Sequence, residues 1–268
     1  MNNLYITLVQ TNLHWEDKAA NLQMLEQKIS GIGEPTNIVV LPEMFSTGFS
    51  MKPELLAEKM DGETVQWMKK IAAEKKIILT GSIMIEEDGY YYNRLIWMLP
   101  NGQNWHYDKR HLFAYGEEDK HYTAGHKRMI AQVNGWKINL QVCYDLRFPV
   151  WARQQVSSSL EHKGGEAEYD ILLYVANWPD RRSHAWKTLL TARAIENQCY
   201  AVGVNRVGND GNNIYHSGNS LVADPLGELL YIKEHEEDVF TIALSKEHLN
   251  ETRNKFPFGK DADGFLLL

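Results

Sequence analysis

The chain has 268 residues, 44% of them hydrophobic, a formal net charge of −7 and only two cysteines. That length and apolar content suffice for one large core, and an acidic chain with scattered lysines and arginines offers no footprint for a nucleic-acid backbone. Two cysteines make no disulfide framework, so a reducing cytoplasm is the expected location.

The first residues, "MNNLYITLVQTNLHWEDK", alternate as a strand does and lack the basic start, apolar run and cleavage site of a secretory leader. No later segment approaches the roughly 20 apolar residues that a membrane span needs, so no membrane partner is expected. "LYITLVQ" and "NIVVLPE" read as β-rich runs, and "DKAANLQMLEQKIS" between them has helical spacing. A second helix is predicted at "DGETVQWMKKIAAEKK", with Asp61 as its cap. From residue 77 the texture becomes a meander of short strands joined by "EDG" and "PNGQ", and a further hairpin turns at Asn134-Gly135. A short helix is expected near Phe148-Pro149, then a polar surface excursion over 157–169, then the strand "DILLYVAN". "RRSHAWKTLLTARAIENQ" is the strongest helical pattern, and Arg193 and Glu196 fall three apart on it, a spacing that favours an intrahelical pair. The strands "YAVGVNRV", "NSLVADPLGELLYIKEH" and "VFTIALS" follow, the second broken by a turn at Asp224-Pro225-Leu226-Gly227. The tail "NKFPFGKDADGFLLL" has no period and is free to pack across a neighbour. With no linker or repeat to cut the chain, residues 1–268 read as a single α/β domain built in layers.

Chemistry concentrates at strand ends, where open α/β architectures expose reacting groups. The apolar run "INLQV" ends in Cys143, "NIVVLP" ends in Glu43, and "NWHYD" ends in Lys109. A cysteine nucleophile needs a base, a cation and oxyanion donors; taken together, these three residues form that set, whereas each alone reads as an ordinary packed thiol or solvated charge. Cys199, between a helix and a β-rich run, is assigned to packing. No histidine pairs with cysteine at zinc spacing and there is no C-x-x-C, so no metal is expected. No glycine-rich phosphate loop follows a strand, and no cofactor is expected.

"LPEMF", "DKRHLF" and "VCYDLRFP", in that order, resemble the three motifs of the nitrilase superfamily of carbon–nitrogen hydrolases, and "ANWP" and "TARAIENQ" extend the resemblance over nearly the whole chain. The wording is most similar to the bacterial ω-amidase (2-oxoglutaramate amidase) branch. The resemblance implies a four-layer α-β-β-α sandwich, usually a homodimer, with Glu43 as general base, Lys109 supporting the charged transition state and Cys143 attacking an amide carbon. It matches a second glutamate to Glu118, although Glu117 stands beside it and Tyr122-Thr123-Ala124-Gly125 departs from the family's aromatic-x-Pro-Gly. The backbone N–H of Tyr144 is the candidate oxyanion donor beside Lys109. A substrate carboxylate needs a local cation, for which Arg147 is the candidate, with an ion pair to a nearby acid as its other reading; Trp178 is read as a pocket wall or as core. The implied reaction is hydrolysis of small monoamides of dicarboxylic acids through a Cys thioester. Aliphatic amidase, N-carbamoyl hydrolase or nitrilase chemistry would share the site, and a non-catalytic thiol sensor or small-molecule binder would need Cys143 alone.

Overall fold

The computed structural model describes residues 3–154, 167–263 and 265. Among these, the strands are β1 (Asn3–Gln10), β2 (Ile38–Val40), β3 (Ile78–Glu87), β4 (Tyr90–Met98), β5 (Asn104–Asp108), β6 (Ile130–Val133), β7 (Trp136–Val142), β8 (Ile171–Ala176), β9 (Tyr200–Asn205), β10 (Val207–Asn209), β11 (Tyr215–Ala223), β12 (Leu229–Glu234) and β13 (Asp238–Ser245). The helices are α1 (Lys18–Ser30), α2 (Pro53–Leu56), α3 (Glu63–Lys75), α4 (Glu118–His121), α5 (Pro149–Ala152), α6 (Ser183–Asn197) and α7 (Lys246–Lys255).

One sheet has the order β13-β1-β2-β3-β4-β5, and the other runs β10-β11-β9-β8-β7-β6 with β12 paired to β11. Side-chain alternation shows how they stack, since successive residues of a strand face opposite sides. In the first sheet Leu4, Ile6, Ile38, Val40, Leu95 and Trp97 join a core shared with Ile138, Leu140 and Val142 of the second. Their neighbours Val39, Ile96 and Met98 turn the other way, onto Leu22, Leu25 and Ile29 of α1 and Met68 and Ile71 of α3. Across the second sheet, Trp186, Leu190 and Ala194 of α6 pack on its outer face. The result is the expected four-layer α-β-β-α sandwich. All of β8 is buried, because it lies between parallel neighbours β7 and β9 with cover on both faces.

The strands β1, β2 and β3 are parallel, and β4 and β5 each reverse direction, so β2 and β5 point their C-terminal ends the same way. The parallel trio β7, β8 and β9 does likewise in the second sheet. That is why residues following β2, β5, β7 and β8 can meet.

The hairpin at Asn134-Gly135 forms as expected, with φ of 49° and 78° joining β6 to β7. The Asp224 carboxylate accepts from Leu226 N and Glu228 N and closes the turn between β11 and β12. The cap of α3 differs from expectation. Gly62, not Asp61, occupies the N-cap, and the Glu58 carboxylate supplies the missing acceptor to Thr64 N at 2.9 Å. The helix α7 was not legible in the sequence pattern, and it takes in the first residues assigned to the tail. Residues 157–166 of the polar excursion lie outside the described residues.

Candidate active site

Glu43 follows β2, Lys109 follows β5, Cys143 follows β7, and Glu118 opens α4. The fold brings all four together. The Lys109 ammonium donates to Glu43 Oε1 at 2.9 Å and to Glu118 Oε2 at 2.8 Å. Lys109, Glu43 and Glu118 are all 0% exposed, deeper than an ordinary strand-end acid or base. Glu117 points out instead and pairs with Lys120 at 2.6 Å.

Each carboxylate is held from several directions. Asn93 of β4 donates one amide to Glu43 Oε1 at 2.8 Å and to Glu118 Oε1 at 3.1 Å. Asn177, just past β8, donates its backbone N–H to Glu43 Oε2 at 2.8 Å, and Phe113 N donates to Glu118 Oε2 at 2.6 Å. Neither Asn93 nor Asn177 was singled out from sequence. The signal for Asn93 was a polar residue inside an apolar strand, and for Asn177 its place directly after an apolar run, within "ANWP".

Charge in this dry site is balanced tightly. Burial alone would pull the Lys109 ammonium down, but the Glu118 and Glu43 charges outweigh it and hold it above the ordinary lysine range. Burial lifts the Glu118 carboxyl, against the pull of Lys109 and with help from the Glu43 charge. Burial also pushes the Cys143 thiol well above its usual value, and the Glu43 charge adds to the effect more than Lys109 offsets it. At neutral pH Cys143 is therefore a thiol in hydrogen-bond reach of the Glu43 carboxylate.

Cys143 opens a 3-10 segment, Cys143–Arg147, with its own φ at +46°. Asp145 pins that turn: its carboxylate accepts from Val142 N at 3.0 Å, from Tyr107 Oη–H at 2.8 Å and from His111 N at 2.9 Å. One buried acid thus ties the Cys143 turn to the segment carrying Lys109. The Tyr144 N–H lies in the first turn beside the thiol, and its ring packs edge-on to Phe113 and Phe148.

A pocket opens over Cys143, walled by Phe49, Phe113, Tyr144, Trp178 and His216 among others. Trp178 is both wall and core: it is 3% exposed, donates Nε1–H to Arg182 O at 2.8 Å, and carries the Arg147 guanidinium 5.0 Å above its ring. Arg147 thus meets an aromatic face, with no acid in salt-bridge range among the described residues. Arg193 and Glu196 do pair, at 3.0 Å, and Arg193 also caps Leu146 O at 2.7 Å. Cys199 is fully buried, as assigned.

Facing sheets that gather a glutamate, a lysine and a cysteine at one set of strand ends, with a second glutamate at the start of α4, define the nitrilase class of fold. A carbon–nitrogen hydrolase family profile matches residues 5–254. Omega-amidase YafV of Escherichia coli is 42% identical over 268 residues, covering 100% of both chains, and the 2-oxoglutaramate amidase of Bacillus subtilis is 31% identical over 96% of both. The crystal structure of a CN-hydrolase superfamily protein from Xanthomonas campestris, with an arsenic adduct in its active site, superposes at a TM-score of 0.96 with 43% identity over 100% of both chains. The chain belongs to the carbon–nitrogen hydrolase family.

Proposed function

We propose that this protein is an ω-amidase, converting small monoamides of dicarboxylic acids such as 2-oxoglutaramate and succinamate to the acid and ammonia. The observation that carries the reading is the buried Glu43–Lys109–Glu118 cluster beside the Cys143 thiol, on a chain 42% identical to an omega-amidase from end to end.

The raised thiol supports one order of events. Cys143 loses its proton only as its sulfur attacks the amide carbon, and the proton passes to Glu43. The carbonyl oxygen becomes an oxyanion between the Lys109 ammonium and the Tyr144 N–H; such donors are each worth about 2.7–4 kcal/mol. Glu43 then protonates the nitrogen, the carbon–nitrogen bond breaks and ammonia leaves a thioester. Water gives a proton to Glu43 as its oxygen attacks, the carbon–sulfur bond breaks, and the proton returns to sulfur. Glu118 stays in place, holding Lys109 charged and aimed. Arg147, over Trp178, meets the substrate carboxylate, since guanidinium binds carboxylate in a bidentate manner.

A thiol sensor would need a low-pKa, accessible sulfur, the opposite of a 9% exposed thiol pushed upward by burial. The same reading includes one catalytic domain, a homodimer and a cytoplasmic location; light scattering on the purified protein tests the dimer. The direct test of activity is ammonia release from 2-oxoglutaramate and succinamate, beside glutamine, a simple nitrile and an N-carbamoyl amino acid. Cys143-dependent turnover of the first two is expected. Turnover confined to the nitrile or carbamoyl compound would keep the site and discard the substrate.

A further inference from the structure

The pocket over Cys143 is basic although the chain is acidic. Its lining carries Arg147, Arg181 and Arg182 against one carboxylate, Asp210, and that carboxylate is engaged by Asn212 N at 2.8 Å and Ile214 N at 2.9 Å. Among the described residues no acid lies in salt-bridge range of any of the three arginines. A cation cluster with no internal counter-ion is costly unless an anion from outside completes it.

Arg182 differs from the other two in how it is held. Its guanidinium lies 5.0 Å from the centre of the Phe113 ring, and Phe113 also supplies the N–H that fixes Glu118. Its carbonyl is pinned by Trp178 Nε1–H, the same indole that carries Arg147. Arg181 and Arg147 sit on the exposed side, whereas Arg182 is half-buried. Desolvation and the nearby Arg181 charge lower its affinity for its own proton. The two aromatic residues therefore hold Arg147 and Arg182 around one cavity, with the nucleophile in its lining.

Resting on the amidase reading, we propose that Arg182 is a specificity-determining residue that closes a two-arginine clamp with Arg147 on the distal carboxylate of the substrate, while Arg181 adds to the field at the pocket mouth. The clamp selects amides bearing an anionic group at the far end of the chain and leaves the chemistry at Cys143 unchanged. A carboxylate presents two oxygens to two guanidinium planes, so each arginine contributes separately to binding.

The test compares succinamate with 4-methylpentanamide, in which an isopropyl group replaces the carboxylate at similar shape, in the wild type, Arg182→Gln and Arg182→Lys. Removing one charge-assisted contact should raise KM for succinamate about 10- to 100-fold with kcat nearly unchanged. The neutral amide should keep its kcat/KM, inhibition by succinate should weaken in parallel, and Arg182→Lys should recover part of the loss. An equal fall on both amides would make Arg182 structural and overturn the clamp. So would a wild-type preference for succinamate that survives in Arg182→Gln, which would leave the amidase reading standing. A wild type that favours the neutral amide would instead overturn the ω-amidase reading and the clamp with it.

Discussion

Site residues stand on or beside backbone that L-residues adopt at a cost. Cys143 itself has φ of +46°, Met44 after Glu43 has +43°, and Glu117 before Glu118 has +63°. Left-handed residues of this kind cost about 1–3 kcal/mol and persist where the surroundings over-determine them. Around Cys143 that role falls to Asp145, with its acceptor bonds from Val142, Tyr107 and His111. The strain at Glu117 is separable from function because its side chain is exposed and engaged with Lys120, and surface pairs add little stability. Glu117→Gly should thus leave turnover unchanged and raise stability by up to about 1 kcal/mol in urea unfolding. Glu118→Gln should fold and lose about 10²-fold in kcat, because Lys109 keeps the Glu43 charge alone and drifts from the oxyanion position. The opposite pair of outcomes would make Glu117 the functional acid.

At the scale of elements, the site was legible where a strand delivers a residue. Glu43, Lys109 and Cys143 each end a β-rich run, and the shared strand direction then leaves them little choice but to converge. What holds them was not legible, since Asn93, Asn177 and Asp145 act through contacts across the sandwich that no local pattern encodes. The helix α7 escaped for another reason: Leu249 is the one apolar residue in "KEHLNETRNK", so no hydrophobic period exists to detect. Its sign was the cap, Ser245 Oγ accepting from His248 N at 3.1 Å. Ser245→Ala should cost about 1 kcal/mol, read as a shift in thermal midpoint; no shift would mean that tertiary packing alone fixes this helix. The departure at Tyr122-Thr123-Ala124-Gly125 also finds its explanation here. Thr123 N donates to Tyr91 O at 2.7 Å and Gly125 N to Lys109 O at 2.9 Å, so the segment is stitched to its neighbours without the proline. Gly125 is the residue with no latitude, because a Cβ there would lie 2.1 Å from Asp108 O. Gly125→Ala must displace the Asp108-Lys109 peptide, and a shift of that size should lower kcat about 10²-fold. Steady-state kinetics showing wild-type kcat would mean that the loop yields instead of β5.

For the molecule as a whole, a buried neutral histidine links folding to pH. His216 is 2% exposed, and burial, then the Arg206 charge, brings its pKa down to about 4. In the unfolded chain it titrates near the ordinary value of about 6.5. Between those values the unfolded state binds the extra proton and the folded state does not, so stability rises with pH. The contribution is fully present above about pH 6.5 and is lost as pH falls towards 4, about 3 kcal/mol over the window. Glu118 acts in the opposite sense above the ordinary carboxylate range: its carboxyl is raised by burial, so the folded state holds its proton longer and stability falls as pH rises. The two cannot be separated in the wild-type curve, but a difference between proteins isolates one. Urea midpoints measured from pH 7 to pH 4.5 should drop more steeply for the wild type than for His216→Gln, whose amide can meet Ile214 O as the ring Nδ1 does and has no proton to gain. Parallel curves would mean that His216 reaches solvent in the folded state and that the β10–β11 end of the second sheet opens before the rest of the sandwich.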